Sequence, residues 1–100
     1  MGAAGNGTLT LENITVTNGF FVDAVFRLDR LESFTLRNCI ISNHTVIRGP
    51  IIDFTGRKLV IENCRFEYNN PQDPGTDPVE INVAGIPSRA TVEIRNTKVN

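Results

Sequence analysis

The sequence has no tryptophan, one histidine and two cysteines, and its charges almost cancel. Ten basic and 11 acidic side chains leave a formal net charge of −1, which provides no basic surface for nucleic acid and no polybasic membrane tether. No apolar run approaches the ~20 residues that a membrane-spanning helix needs. The start of the chain, residues 1–7, is too short and too polar for a signal peptide. These absences predict a small globular domain without membrane insertion or nucleic-acid binding.

Motifs for metal binding and catalysis are also missing. Cys39 and Cys64 form no Cys-x-x-Cys pair, and with His44 as the only histidine they cannot build a zinc site. There is no phosphate loop, His-Glu-x-x-His motif or Ser/His/Asp set, and no two carboxylates recur at acid–base spacing. We therefore expect no enzyme activity, no cofactor and no metal, and we interpret His44 as a solvated turn residue rather than a catalytic base.

What the sequence does contain is a repeat. Four segments align without gaps around asparagines that lie 25, 25 and 33 residues apart, at Asn13, Asn38, Asn63 and Asn96. Before each asparagine apolar and polar residues alternate, as in Phe34-Thr-Leu36, which is typical of a half-buried strand. After the asparagine the apolar phase shifts, which indicates a corner between two strands. Asparagine suits such a corner because it tolerates a left-handed backbone.

A weaker third strand follows in the first three repeats, at 25–28, 51–54 and 79–83. Strands that recur about every 25 residues predict an all-β fold in which a coil of three short strands stacks parallel on the next coil, ~4.8 Å away. We divide the chain into a flexible N-terminal segment, 1–6, and a single domain, 7–100. About 3.5–4 coils are expected, at roughly 7–31, 32–56, 57–88 and 89–100.

Stacked coils would align equivalent side chains in rows. We expect the four asparagines to form a structural ladder, in which each amide donates to one neighbour and accepts from the other. The residues just before them alternate in sign and form a predicted charge ladder: Glu12, Arg37, Glu62 and Arg95. Pairing between neighbouring coils is favoured here over a binding stripe, and Arg27 with Asp53 is a further candidate pair. For Cys39 and Cys64, stacked thiols are favoured over a disulfide, because strand stacking is slightly wider than a disulfide requires.

The third repeat is longer than the first two, and the excess falls in residues 68–78, which are rich in Pro, Asp and Asn. Such an insertion leaves the coil as a surface loop, and loops of this kind commonly carry binding in repeat proteins. The candidate binding loop comprises Tyr68, Asn69, Asn70, Gln72, Asp73, Thr76 and Asp77. A solvated loop without a ligand is the competing interpretation.

The segments that begin Leu9-Thr-Leu-Glu-Asn13, Phe34-Thr-Leu-Arg-Asn38 and Leu59-Val-Ile-Glu-Asn63 resemble coils of the right-handed parallel β-helix, or pectin-lyase-like, superfamily. Their pattern is most similar to polymorphic outer-membrane and adhesin-type surface repeats, through the Phe-x-x-Asn tetrapeptide at 66–69. The resemblance implies a right-handed parallel β-helix (solenoid) over residues 7–100. The superfamily includes polysaccharide lyases and hydrolases, phage tailspikes and adhesins. The fold alone therefore does not identify the function.

From these features we expect a non-catalytic β-helix repeat module of a surface or extracellular protein, acting in adhesion, recognition or assembly. One alternative is a fragment of a polysaccharide lyase, hydrolase or tailspike whose catalytic residues lie elsewhere. The other is a self-assembling structural unit. Neither end of the sequence carries a recognisable capping unit, so the expected partners are further coils or a second copy end to end. A glycan or a protein ligand is a second kind of partner.

Overall fold

The computed structural model describes residues 2–71, 81–86 and 89–99. Within these ranges the chain forms β-strands and no α-helix. The strands are β1 Gly2–Ala4, β2 Thr8–Glu12, β3 Thr15–Thr17, β4 Phe20–Phe21, β5 Phe26–Arg37, β6 Ile40–Ser42, β7 Thr45–Val46, β8 Ile52–Glu62, β9 Arg65–Glu67, β10 Asn70–Pro71, β11 Val83–Ala84, β12 Thr91–Arg95 and β13 Lys98–Val99.

These strands form three sheets, and every pairing between them is parallel. The first sheet contains β1, β2, β5, β8, β11 and β12; the second contains β3, β6, β9 and β13; the third contains β4, β7 and β10. Through the first three repeats the chain visits the sheets in the same order. The predicted all-β class with parallel strand stacking is therefore confirmed.

The strands are divided differently from the sequence-based prediction. The third strand of one repeat runs directly into the first strand of the next, so β5 and β8 are 12 and 11 residues long. A register shift between Asp29 and Leu31 marks the junction within β5, where Arg30 has a positive φ of 57°. The third sheet consists of two-residue strands that the sequence does not reveal, because two residues are too few to display an alternation.

Part of the N-terminal segment joins the first sheet. Gly2–Ala4, within the stretch assigned as flexible, form β1 and pair with Arg27–Asp29 of β5. A stretch of Gly and Ala can join a sheet in this way because strand pairing uses main-chain hydrogen bonds and requires no side chain. The third strand expected at 79–83 is represented among the described residues by β11, Val83–Ala84.

Side chains from all three sheets pack into one core. Phe34 and Leu36 enter it from the first sheet, Ile41 and Phe66 from the second, and Val46 from the third, and each is at most 2% exposed. Alternation along the strands directs every second residue to this core. The polar residues of interest therefore lie on the outer faces and at the corners where the chain passes between sheets.

Candidate functional site

The four asparagines of the structural ladder lie at the corner between the first and second sheets. Each has a positive φ, between 49° and 58°, so the predicted left-handed corner is confirmed. The backbone N–H groups of Asn13, Asn38 and Asn63 donate to the carbonyl of the residue that precedes the next asparagine, at 2.9–3.0 Å. The side chains of all four are exposed, and within the described ranges none forms an amide-to-amide bond.

The structure thus corrects the amide bonding expected for the structural ladder. An exposed amide is satisfied by water and gains little from a neighbouring amide. A left-handed backbone, in contrast, is costly for most residues with a Cβ, while asparagine and glycine adopt it readily. The recurrence of asparagine at this corner is therefore explained by backbone conformation.

A second corner, between the second and third sheets, contains a different polar row. Gly19, His44 and Asn69 lie 25 residues apart in the sequence, and we call these three residues the inner column. Each follows a residue with φ of 57–59°, namely Asn18, Asn43 and Tyr68. The left-handed residue turns the chain, and the next residue then points inward.

Asn69 occupies one end of the inner column. Its Oδ1 accepts a hydrogen bond from the His44 N–H at 3.1 Å, and its Nδ2 donates to the Ile41 carbonyl at 3.0 Å. Both partners are main-chain groups of the preceding repeat. One side-chain amide thereby satisfies a donor and an acceptor that the corner leaves unpaired.

His44 makes the equivalent pair of bonds one repeat earlier. The Gly19 N–H donates to His44 Nδ1 at 3.0 Å, and His44 Nε2 lies 2.8 Å from the Val16 carbonyl. A backbone N–H can only donate, so Nδ1 carries no proton and Nε2 donates to Val16. The neutral imidazole therefore reproduces the two hydrogen bonds that the amide makes at Asn69.

Gly19 ends the column because its position has no room for a side chain. A Cβ placed there would lie 2.6 Å from His44 Nδ1 and would also collide with the Phe21 ring. Phe21 itself packs against His44, with ring centroids 5.6 Å apart. The glycine is thus required by the imidazole beside it.

The interpretation of His44 as a solvated turn residue is wrong. The residue is 1% exposed, and burial lowers the pKa of His44 below its ordinary value of 6.5, with an opposing contribution from the hydrogen bond to Val16. Both ring nitrogens are engaged by main-chain groups. The signal that identifies this role is the spacing, because a strict 25-residue period aligns His44 with Gly19 and Asn69.

The candidate binding loop is only partly described. Tyr68 is an exposed corner residue, Asn69 belongs to the inner column, and Asn70 begins β10. These three residues thus belong to the repeating framework rather than to an insertion, because they keep the 25-residue register. Gln72, Asp73, Thr76 and Asp77 lie outside the described residues.

The charge ladder forms one continuous row on the outer face of the first sheet. Arg37 lies 3.2 Å from Glu12 on one side and 3.2 Å from Glu62 on the other. Arg95 continues the row at 3.2 Å from Glu62. Each pair is partly exposed, so each contributes only ~0.2–1 kcal/mol, and the row mainly favours one register over its alternatives.

The other candidate pair is not formed. Arg27 lies opposite Asp53 in the strand register, but its guanidinium forms an ion pair with Asp23, at 3.5 Å. Asp23 lies four residues earlier in the sequence, so its side chain can reach Arg27 without crossing between strands.

Cys39 and Cys64 are buried free thiols, as predicted. Cys39 Sγ lies 3.3 Å from the Arg37 carbonyl, and Cys64 Sγ lies 3.3 Å from the Glu62 carbonyl. Burial raises the pKa of the Cys64 thiol, which keeps it protonated at neutral pH. These cysteines act as small core residues with a weak donor directed at the corner.

A concavity lies at the junction inside the first sheet. It is a groove of about 360 Å³ whose cationic lining consists of Arg30, Arg57 and Arg89. Arg57 is paired with Glu32 at 3.6 Å, and Arg30 lies 3.9 Å from Asp29. The acidic residues therefore neutralise only part of the positive charge of the groove.

Within the described ranges no cluster of three or more His, Cys, Asp or Glu side chains could hold a metal ion, and no helix is long and apolar enough to cross a membrane. Comparison of the chain with models of protein families, with curated proteins and with solved structures found no match in any of the three.

Proposed function

We propose that the chain is a right-handed parallel β-helix module of the pectin-lyase-like kind, with about four coils. The observation that carries the proposal is one 25-residue register shared by three sheets: Leu9 lies opposite Phe34, Val16 opposite Ile41, and Phe20 opposite Thr45. A chain that coils around a core gives this result, because each turn adds the same number of residues to every sheet. The right-handed sense follows the general preference of parallel crossover connections.

In this proposal the module is a non-catalytic part of a surface or extracellular protein and acts in adhesion, recognition or assembly. The side chains with catalytic potential that are described have framework contacts: His44 bonds to Gly19 and Val16, and the two thiols are buried. The surface location rests on the resemblance of the repeats to adhesin-type coils. The groove beside Arg57 and Arg89 is the first surface to examine for a ligand.

The test is a glycan array combined with an assay for turnover. We expect retention of one glycan class with no release of unsaturated sugars and no new reducing ends. A double variant, Arg57→Ala with Arg89→Ala, should lose binding if the groove is responsible. Arg48→Ala is the matched control, because Arg48 is exposed and does not line the groove. Turnover of a bound glycan would contradict a non-catalytic role and favour a fragment of a carbohydrate-active enzyme.

A further inference from the structure

We propose that this chain docks head to tail on a second copy of itself, with the β11–β12 edge of one copy against the β1–β2 edge of the next. The inference rests on the coil stacking of the proposed function and extends it from one molecule to two. The first sheet carries the argument. Among the described strands, β1 and β2 form one of its edges and β11 and β12 the other, and neither edge has a partner on its outer side. Because all the described strands are parallel, the two edges run in the same direction. A β12 edge can therefore form parallel pairing with a β2 edge, as the strands do within the sheet.

The charge ladder favours this polarity over its alternatives. The row begins with Glu12 at one edge and finishes with Arg95 at the other. Head-to-tail docking places Arg95 opposite Glu12 of the second copy, which continues the alternation of sign. Docking of two like edges requires a two-fold axis, so the strands at the contact would run antiparallel, unlike every described pair within the molecule, and the ladder would not continue across the contact. The ladder and the strand direction therefore both favour docking of unlike edges.

The main-chain hydrogen bonds at the asparagine corner also favour head-to-tail docking. Asn13, Asn38 and Asn63 each donate an N–H to the carbonyl of the residue preceding the next asparagine. Within the described ranges the Asn96 N–H has no such acceptor, and the Glu12 carbonyl has no such donor. Head-to-tail docking brings these two groups together and supplies the fourth bond of the series.

The apolar rows also end in matching residues. Phe34 and Leu59, which lie in the middle of one inward row, are 0% exposed, whereas Leu9 and Val92 at its two ends are only partly buried. Docking would cover Val92 with Leu9 of the second copy, in the way that Phe34 covers Leu9 within one molecule. The apolar area removed from water supplies the main driving force for association.

The resulting contact is heterologous, so each added copy leaves one edge of each kind exposed. Such contacts produce open stacks whose length increases with concentration, instead of a closed dimer.

The experiment uses one variant that blocks each edge. Leu9→Lys places a charge in the inward row at the β2 edge, and Val92→Lys does so at the β12 edge. Lysine at a sheet edge can extend its ammonium group to solvent in the free molecule, but docking would bury it. The matched controls are Thr10→Lys and Thr91→Lys, which lie on the same strands but have exposed side chains.

Sedimentation velocity is measured over a wide range of protein concentration. The wild type and both controls should increase in average mass with concentration, and each blocked variant alone should remain monomeric. An equimolar mixture of the two blocked variants should form a dimer and nothing larger, because one intact edge of each kind remains. Glu12→Arg provides a second β2-edge variant that leaves the core unchanged. It should weaken association several-fold without abolishing it, because it places a like charge opposite Arg95 at a partly exposed position.

Two results would overturn the docking. One is a wild-type chain that stays monomeric at every concentration while circular dichroism shows intact β structure. The other is a blocked variant that still dimerises alone, since that contact would join like edges. Either result leaves the proposed function standing, whereas turnover of a glycan would contradict that function and leave the docking untouched.

Discussion

The two corners of each repeat turn the chain in the same way but use asparagine differently. At the corner between the first and second sheets, Asn38 and Asn63 have left-handed backbones and exposed side chains. At the corner between the second and third sheets, the left-handed residue is followed by an inward side chain, and Asn69 uses its amide to bond two main-chain groups. One corner depends on backbone conformation, and the other depends on buried hydrogen bonds.

The difference shows that a recurring asparagine does not by itself imply an amide ladder. Where the side chain faces water, asparagine is replaceable by any residue that tolerates positive φ, as Tyr68 illustrates at the second corner. Where the side chain faces the core, what matters is one acceptor and one donor in the correct places. His44 satisfies that requirement as well as Asn69 does, although the two residues differ in shape and charge.

The largest effect is expected from removing the imidazole hydrogen bonds. His44→Leu keeps an apolar side chain in the buried site but leaves the Gly19 N–H and the Val16 carbonyl unsatisfied. We expect the free energy of unfolding to fall by about 2–4 kcal/mol, since each buried unsatisfied group costs ~1–3 kcal/mol. His44→Asn should recover most of this loss, because an amide makes the same two bonds at Asn69. Urea unfolding measures the free energy of unfolding of both variants. If His44→Leu and His44→Asn lost the same amount, an amide would not replace the imidazole at this position.

A second comparison separates the inner column from its neighbour in sequence. Asn69→Ala removes the partner of the His44 N–H and of the Ile41 carbonyl, and should cost about 1–3 kcal/mol. Asn70→Ala, one residue later, changes an exposed side chain and should alter stability by less than ~0.5 kcal/mol. If the two variants had equal unfolding midpoints, the hydrogen bonds of Asn69 would contribute no more to stability than the exposed side chain of Asn70.

At the asparagine corner the expected loss is smaller and has a different cause. Asn38→Ala should cost about 1 kcal/mol, because alanine tolerates a left-handed backbone poorly. Asn38→Gly should be close to neutral at the same position, since glycine adopts that conformation freely. If the glycine variant were as unstable as the alanine variant in chemical denaturation, the amide itself would have to contribute.

The smallest effect near neutral pH concerns the charge of His44. Its folded-state pKa lies below the ordinary value of 6.5, so as pH falls the unfolded chain takes up the proton first. The wild type should therefore lose stability progressively as pH falls below 6.5, until the folded-state pKa is reached. Protonation would also place a hydrogen on Nδ1, opposite the Gly19 N–H.

The readout is the difference between the wild type and His44→Asn in urea midpoints across a pH series. Carboxylate titration contributes to both proteins and cancels in the difference. A difference that does not change between pH 8 and 5 would show that His44 takes up its proton equally in the folded and the unfolded chain, which would contradict the lowered pKa.

Much of the fold could be predicted because the repeat is present in the order of the residues. The alternation around Phe34 and Leu36 identified strands, and the phase shift after Asn38 identified a corner. The two-residue strands of the third sheet were not predictable, because they are defined by their neighbours rather than by a pattern of their own. The joining of two strands into β5 was also hidden, since the shift at Arg30 is a property of pairing.

For the candidate site the sequence analysis singled out the four corner asparagines and did not follow the row six residues later. The same 25-residue period places Gly19, His44 and Asn69 in that row, but the three residues differ in type, so no recurring residue marks it. The charge ladder was easier to anticipate, because alternating signs at one repeat position leave few arrangements other than pairing.

By itself, the sequence determined which residues alternate, where the chain turns and at what interval the pattern returns, because these depend on local conformation and on residue order. Only the tertiary structure decided which way each side chain faces at a corner. An asparagine in water and an asparagine in the core are identical in sequence, and the difference between them arises from the main-chain groups that the neighbouring repeat leaves to be bonded. For the same reason the single histidine, which composition suggests is incidental, is a fixed part of the core.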